Sequence, residues 1–336
     1  MSVSQRTLRK VNGPFAAFGR WLHHGDTPWR LLTFVMALCI LLVVVAIGVS
    51  LWQQSRPAQV AFGWQFLAPT QDASWNPVLD KFEAWPSIYG TLVTSLIAVV
   101  LSVPVSISVA IFLTELCPAW LRTPLGLLIE LLAAVPSVVY GLWGMFVFLP
   151  TVVTPIGQWL ESALGTLPIL DGLFSGPVPL SGLSRLGAGF ILAIMILPTI
   201  SAVSRDVLLA IPRAQREASL ALGATQWETI SQVLIPYGLS GILGAILLGL
   251  GRALGETMAV TMVIGNSLEP TSSLLRPGST MASVIANEFA EAVSTLHSSA
   301  LLEIGLILFA MTLLLNAIAR LLVWSVARRI PQEACA

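Results

Sequence analysis

The residues of this sequence best suited to chemistry are Arg252 and Glu256, set four apart within an otherwise apolar stretch. On a continuous helix that spacing places both side chains on one face, within mutual reach. An arginine at the centre of a membrane helix costs about 2.5–3.5 kcal/mol on insertion scales, and a neighbouring carboxylate offsets part of that. Two roles are open to the pair. It can brace the helix as a structural ion pair, or the guanidinium can offer its planar fork of donors to an oxyanion in a polar cavity. In the second role Glu256 accepts a hydrogen bond from an oxyanion that still carries a proton, and repels a fully deprotonated one such as sulfate.

The element that must hold this pair is a membrane helix. Hydrophobic residues make up 56% of the 336 and charged residues 10%, against roughly 25% charged in soluble chains, and the mean hydropathy is +0.85. Seventeen basic residues balance seventeen acidic ones, which excludes a strongly basic nucleic-acid binder. A span needs roughly 20 mainly apolar residues, and six segments qualify: 31–52, 89–114, 125–150, 186–204, 237–265 and 300–326. The expected fold is therefore all-α, because lipid offers no partner to an unpaired backbone group. The first apolar run is longer than a signal-peptide core and no small-residue cleavage site follows it, so it reads as a retained span.

Basic residues orient the spans. With the N-terminus inside, twelve (Arg6, Arg9, Lys10, Arg20, Arg30, Arg122, Arg205, Arg213, Arg216, Arg320, Arg328, Arg329) fall on the cytoplasmic side and four (Arg56, Lys81, Arg185, Arg276) outside. Both termini are expected to be cytoplasmic. The resulting divisions are a tail over 1–30, the first helix over 31–52, an exterior loop over 53–88, a five-helix core over 89–326 and a tail over 327–336.

The fifth span holds Gly238, Gly241, Gly244, Gly249, Gly251, Gly255 and Gly265. Each glycine costs a helix about 0.8–1.0 kcal/mol relative to alanine, so their density implies a close helix–helix or subunit contact. Pro136-Ser137 interrupts the third span, where Tyr140 reaches either a translocation path or the packed interior. Glu288 and Glu291 fit an exterior gate, a receptor contact or a solvated helix face, and Glu130 is given no role. The three cysteines, Cys39, Cys117 and Cys335, show neither metal-ligand nor disulfide spacing, and Cys39 reads as core packing. No metal site is expected.

One connection on the cytoplasmic side, over 213–236, is long enough to carry function. Helix formers from Arg213 to Leu222 meet Gly223, a C-terminal cap position. Thr225 with Glu228 three residues on then forms a capping-box pattern that starts a second helix, expected to stop at Pro236. The alternative is an amphipathic linker on the membrane surface. No glycine precedes Lys10 or Lys81, the only lysines, so the sequence has no P-loop and no route of its own to ATP hydrolysis. An enzyme would need a catalytic cluster, yet His23, His24 and His297 are scattered. A channel would not need the elbow at Gly223.

Glu217-Ala218-Ser219, three residues, Gly223 and then Leu234-Ile235-Pro236 resembles the EAA loop of importer-type ABC permeases, with Ser219 in place of the usual second alanine. Gly249-Leu-Gly-Arg252-Ala-Leu-Gly-Glu256-Thr-Met-Ala-Val-Thr261 resembles the fifth-span segment of PstC-type phosphate permeases of the MetI-like class. The likeness extends over Ile88–Ser95, Pro104–Ser106, Phe112-Leu-Thr-Glu115, Glu130–Gly141 and Asn287–Glu291. What it implies is a type I ABC importer permease in a bacterial inner membrane, paired with a PstA-type permease, a PstB-type ATPase dimer and a PstS-type phosphate-binding protein. It also implies ATP and Mg on the ATPase, no cofactor in this chain, contact with membrane lipid and no nucleic-acid partner. Glu217, Ala218, Ser219, Gly223 and Pro236 would couple to the ATPase, while Arg252, Glu256, Thr261, Ser137 and Tyr140 would line or gate the path. Sulfate or molybdate is the alternative cargo.

Overall fold

The computed structural model describes residues 26–68, 75–165, 167 and 171–327, so most of the expected tails over 1–30 and 327–336 lies outside them. Among the described residues the structure is helical, with only isolated bridges between Asn76 and Lys81 and between Gly265 and Gly278. The helices are α1 Asp26–Gln54, α2 Arg56–Phe62, α3 Trp85–Leu116, α4 Ala119–Ala133, α5 Ser137–Leu164 and α6 Arg185–Ala210. They continue with α7 Arg213–Ala221, α8 Gln226–Gly255, α9 Met258–Val263, α10 Met281–Glu288 and α11 Thr295–Ala327. Six of them, α1, α3, α5, α6, α8 and α11, are long and apolar enough to cross a membrane.

The chain divides into two units, one ending at Gln53 and one beginning at Gln54. The first contains nearly all of α1, which is apolar on every side, as a span in lipid is. Cys39 is exposed there, correcting the expectation of core packing. In a bilayer an apolar run needs no protein core to cover it.

In the second unit α6 is the central post, two-thirds buried over its apolar window. Ser184 caps it, its Oγ accepting from the Gly187 N–H at 3.0 Å. Its buried Ile191, Leu192, Met195, Ile196 and Ile200 meet Leu149 and Val153 of α5, Ala245 and Ala253 of α8, and Ala259, Val260 and Val263 of α9. α3 presents small residues to the interior: Ser87, Gly90, Thr91, Thr94, Ser95, Ala98, Ser102 and Ser106 are buried at helical spacing. Hydroxyls there satisfy backbone acceptors, as when Ser106 Oγ donates to the Leu197 carbonyl at 3.1 Å beside Pro198. At Gly90 a Cβ would lie 1.9 Å from the Ser279 carbonyl oxygen. Gly90→Ala is therefore expected to destabilise the fold by about 1–3 kcal/mol, the usual cost of overpacking, read as a lower yield of monodisperse protein and a lower Tm. An unchanged Tm would contradict this contact.

Three element boundaries differ from those expected. The third span is Ser137–Leu164 rather than 125–150. The polypeptide before it forms a separate helix, α4, and the backbone turns at Ala134–Pro136 because proline disfavours helix in the residue before it. Span five is not one helix over 237–265, because α8 ends at Gly255 and α9 starts at Met258. Nor does the second helix of the 213–236 loop stop at Pro236. A π-helical turn over Thr229–Leu234 changes the hydrogen-bond register just before it, and Pro236 then occupies the first turn of an α-helical stretch, where a missing N–H costs little. One helix thus runs from the Thr225 cap to Gly255.

Candidate functional site

The far end of α8 carries Arg252, half-buried, whose Nη1 donates to Thr199 Oγ1 of α6 at 2.9 Å. Glu256 is the first residue past the helix, with extended backbone at ψ 122°. Its Oε1 accepts from the Ala259 N–H at 3.2 Å, capping the start of α9. Among the described residues no ion pair joins Arg252 to Glu256. This corrects the expectation that spacing of four brings them together, since that arithmetic holds only while the helix continues. Arg252 is held by a neutral hydroxyl, and among the described residues the rest of its five N–H donors make no protein hydrogen bond. A guanidinium left this way is suited to an oxyanion. Around it Gly251 and Gly255 face open space, with no atom within 4 Å of a Cβ built on either.

The other sequence-derived path residues occupy different situations. Thr261 is half-buried on α9, its hydroxyl donating back to the Thr257 carbonyl at 2.7 Å. Tyr140 is 7% exposed and packs in the same cluster as Ala253 and Ala259, the neighbours of Arg252 and the residue capped by Glu256. Its hydroxyl donates to the Leu132 carbonyl at 2.9 Å, so it closes the break between α4 and α5. Ser137 starts α5 and is half-buried. Gly141, one residue past Tyr140, lets α5 approach α9, where an added Cβ would lie 2.7 Å from Met262 Sδ. The start of α5 therefore lies against α9, the short helix that follows the break at Glu256.

The near end of α8 is the elbow. α7 closes with a left-handed Gly223 at φ +89°, and the Ala224 N–H reaches the Ser219 carbonyl at 3.2 Å while the Gly223 N–H reaches Leu220 at 3.0 Å. This paired arrangement is a Schellman cap. The Thr225–Glu228 capping box is present. Glu217 and Ala218 are exposed, as are Gly223 and Pro236, and Trp227 and Leu222 stand out at 69% and 90% exposure. A protruding apolar surface of this kind marks a contact with another protein or with membrane. Ser219 turns inward, its Oγ 3.0 Å from Thr229 Oγ1 across the elbow.

Sequence reasoning missed the contacts that hold this end together. Arg216 of α7 donates to the Leu208 and Ile211 carbonyls at 2.7 and 2.8 Å and to Glu115 Oε1 at 3.1 Å. Arg122 donates to the Thr114 carbonyl at 3.0 Å, and Arg205 pairs with Glu130 at 2.9 Å, which gives Glu130 a place in joining α4 to α6. The available signal was an arginine close to a helix C-terminus, where unpaired carbonyls attract cations. At the opposite end Glu288 accepts from the Trp75 indole and lies 3.0 Å from His297 Nε2, so it is engaged within the protein, whereas Glu291 is exposed.

Comparison with known proteins adds the family. The model of the binding-protein-dependent transport system inner membrane component matches residues 102–330. A phosphate transport system permease protein PstC from Xylella fastidiosa is 47% identical over 304 residues, covering 90% of this chain and 92% of that protein. The PstC protein of Mesorhizobium japonicum is 44% identical over 98% of this chain and 99% of its own length. Among solved structures, the inward-facing MetNI methionine ABC transporter matches with TM-score 0.53 at 15% identity, covering 75% of this chain and 99% of that one. A bacterial alginate ABC transporter matches with TM-score 0.54 at 16% identity over 88% and 94% of the two chains. At those identities the structures speak for the fold alone, which is that of ABC importer permeases. With its six apolar helices, this chain is a multi-pass inner-membrane protein and belongs to the binding-protein-dependent transport system inner membrane components, among the PstC-type phosphate transport permeases.

Proposed function

We propose that the chain forms half of the translocation path of an ATP-driven phosphate importer, with a homologous PstA-type permease forming the other half. A PstB-type ATPase dimer, carrying ATP and Mg, docks on the exposed surface around Glu217, Ala218 and Gly223, and a PstS-type binding protein delivers phosphate from outside. The chain itself supplies no ATPase chemistry. Both termini and the α7 elbow face the cytoplasm in this reading, in keeping with the positive-inside bias. The observation that carries it is the single helix α8, which joins the Gly223 elbow at one end to Arg252 at the other. Displacement of the elbow by the ATPases reaches Arg252 and the break at Glu256 through a rigid element, so that the site alternates between the two sides.

Phosphate as cargo is supported by the PstC relatives and by the chemistry around Arg252. The guanidinium binds phosphate oxygens, and Glu256, set apart from Arg252 by the break, accepts a hydrogen bond from the O–H that phosphate retains at neutral pH. Sulfate and molybdate are fully deprotonated and have no such donor. In vesicles holding the whole complex with ATP inside, unlabelled phosphate is expected to suppress labelled phosphate entry at about stoichiometric excess, while tenfold more sulfate or molybdate leaves it nearly intact, given discrimination of about 10⁴-fold or more where a site is built around a donor. Equal suppression by sulfate would overturn the assignment of cargo.

A further inference from the structure

We infer that Arg216 is a second transmission point, which moves α3 and α6 together with α7 while the Gly223 elbow moves α8. This rests on the reading of α7 as the ATPase-facing helix. None of α7's residues is buried in this chain, and the leucines at its end are open, with Leu220 48% exposed and Leu222, just past the helix, 90%. Apolar packing therefore does not fasten α7 to the membrane helices, and its polar contacts must do so.

Two such contacts leave α7 in different directions. Ser219 meets Thr229 at the start of α8. Arg216, with its side chain 18% exposed, reaches two other helices at once. It takes the Leu208 carbonyl in the last turn of α6 and the Ile211 carbonyl just beyond it, together with the Glu115 carboxylate, itself 15% exposed, at the end of α3. The carbonyls lie at the negative end of the α6 dipole, where backbone acceptors are undersupplied with donors; the Leu208 carbonyl has otherwise only a long bond, 3.4 Å, from the Ile211 N–H. A planar guanidinium reaches all three acceptors in fixed directions, which an ammonium does not. The bridge to Glu115 spans 101 positions of sequence, so it joins elements that the backbone connects only through α4, α5 and α6. Because α6 is the central post and α3 packs along it, a displacement of α7 that carries Arg216 must carry both. Without it, α7 pulls on α8 alone. Arg216 is thus a positioning residue that touches no cargo.

The test follows amide hydrogen exchange with and without ATP in the assembled complex in lipid nanodiscs, comparing Phe112–Leu116 at the end of α3 with Gln226–Glu228 at the start of α8. In the wild-type complex ATP should change exchange at both. In Arg216→Gln the ATP-dependent change at Phe112–Leu116 should fall about tenfold, the scale of losing charge-assisted hydrogen bonds, while that at Gln226–Glu228 persists. Glu115→Gln should give a smaller loss in the same place, and the double variant should be no worse than Arg216→Gln, as for two ends of one interaction. A merely structural arginine would change both segments together and irrespective of ATP. If Arg216→Gln does not assemble, Glu115→Gln decides alone. An ATP response at α3 that survives in the variants, or that is absent from wild type, overturns the inference. Phosphate uptake by the same complexes reconstituted in sealed vesicles separates the two proposals: an α3 response without uptake leaves Arg216 standing and sinks the phosphate reading.

Discussion

Replacing Arg252 with glutamine is expected to lower ATP-dependent phosphate uptake by about 10- to 100-fold, with the complex still assembled. The magnitude follows from losing hydrogen bonds to a charged group, about 1.5–3 kcal/mol, at 1.4 kcal/mol per factor of ten. Assembly should survive because, among the described residues, Arg252 hydrogen-bonds only to a neutral hydroxyl, that of Thr199. Its removal leaves no carboxylate stranded in the membrane, as it would had Glu256 been its partner. Arg252→Lys keeps the charge but not the fork, and an intermediate rate is expected. The break between α8 and α9 also makes Glu256→Gln a separate event. If the two residues act on different atoms of the cargo, their losses combine; if they form a brace, the double variant matches the worse single one. Uptake by initial rate, beside the amount of intact complex recovered, distinguishes these. Normal uptake in Arg252→Gln would remove the anion role, and lost assembly would restore the brace.

Gly223→Pro should be the most damaging change outside the spans. Gly223 has φ +89°, whereas proline is held near −65° and lacks the N–H that closes the cap on Leu220. The elbow must then rebuild, and α7 loses its fixed direction relative to α8. Co-purification of the ATPase is expected to fall, with uptake lower by at least about tenfold, as a loss of more than 1.4 kcal/mol in a docking interface implies. Gly223→Ala is the milder control. It retains the N–H and pays about 1–2 kcal/mol for the left-handed conformation, so it should weaken coupling without abolishing it. Retention of the ATPase and of full uptake in Gly223→Pro would count directly against docking at this elbow.

These predictions depend on features that differ in how openly the sequence states them. The elbow was legible in detail, because Gly223, Thr225 and Glu228 act within one turn and need no distant partner. The six spans were legible for the same reason, since apolar length is a local property. The ends of spans three and five were not. Hydropathy is blind to the backbone: Pro136-Ser137 marks an interruption of span three but not that the span lies wholly beyond it, and Pro236 reads as a stop until a π-helical turn is seen to precede it. The Arg252–Glu256 pair failed through the same blindness, as Glu256 is on extended backbone. Arg216 with Glu115 and Arg205 with Glu130 lay further out of reach. Their partners are 101 and 75 positions apart, and only the packing of α3, α4 and α6 brings them together.

ATP bound by the partner ATPases is expected to drive phosphate past Arg252 through this chain. The most direct test is entry of labelled phosphate into sealed vesicles that contain the complete complex and are supplied with loaded binding protein outside. With hydrolysable ATP on the side of the α7 elbow, labelled phosphate should accumulate against its gradient, and with a non-hydrolysable analogue it should not. Accumulation without ATP, or none with it from an intact complex, would contradict the account.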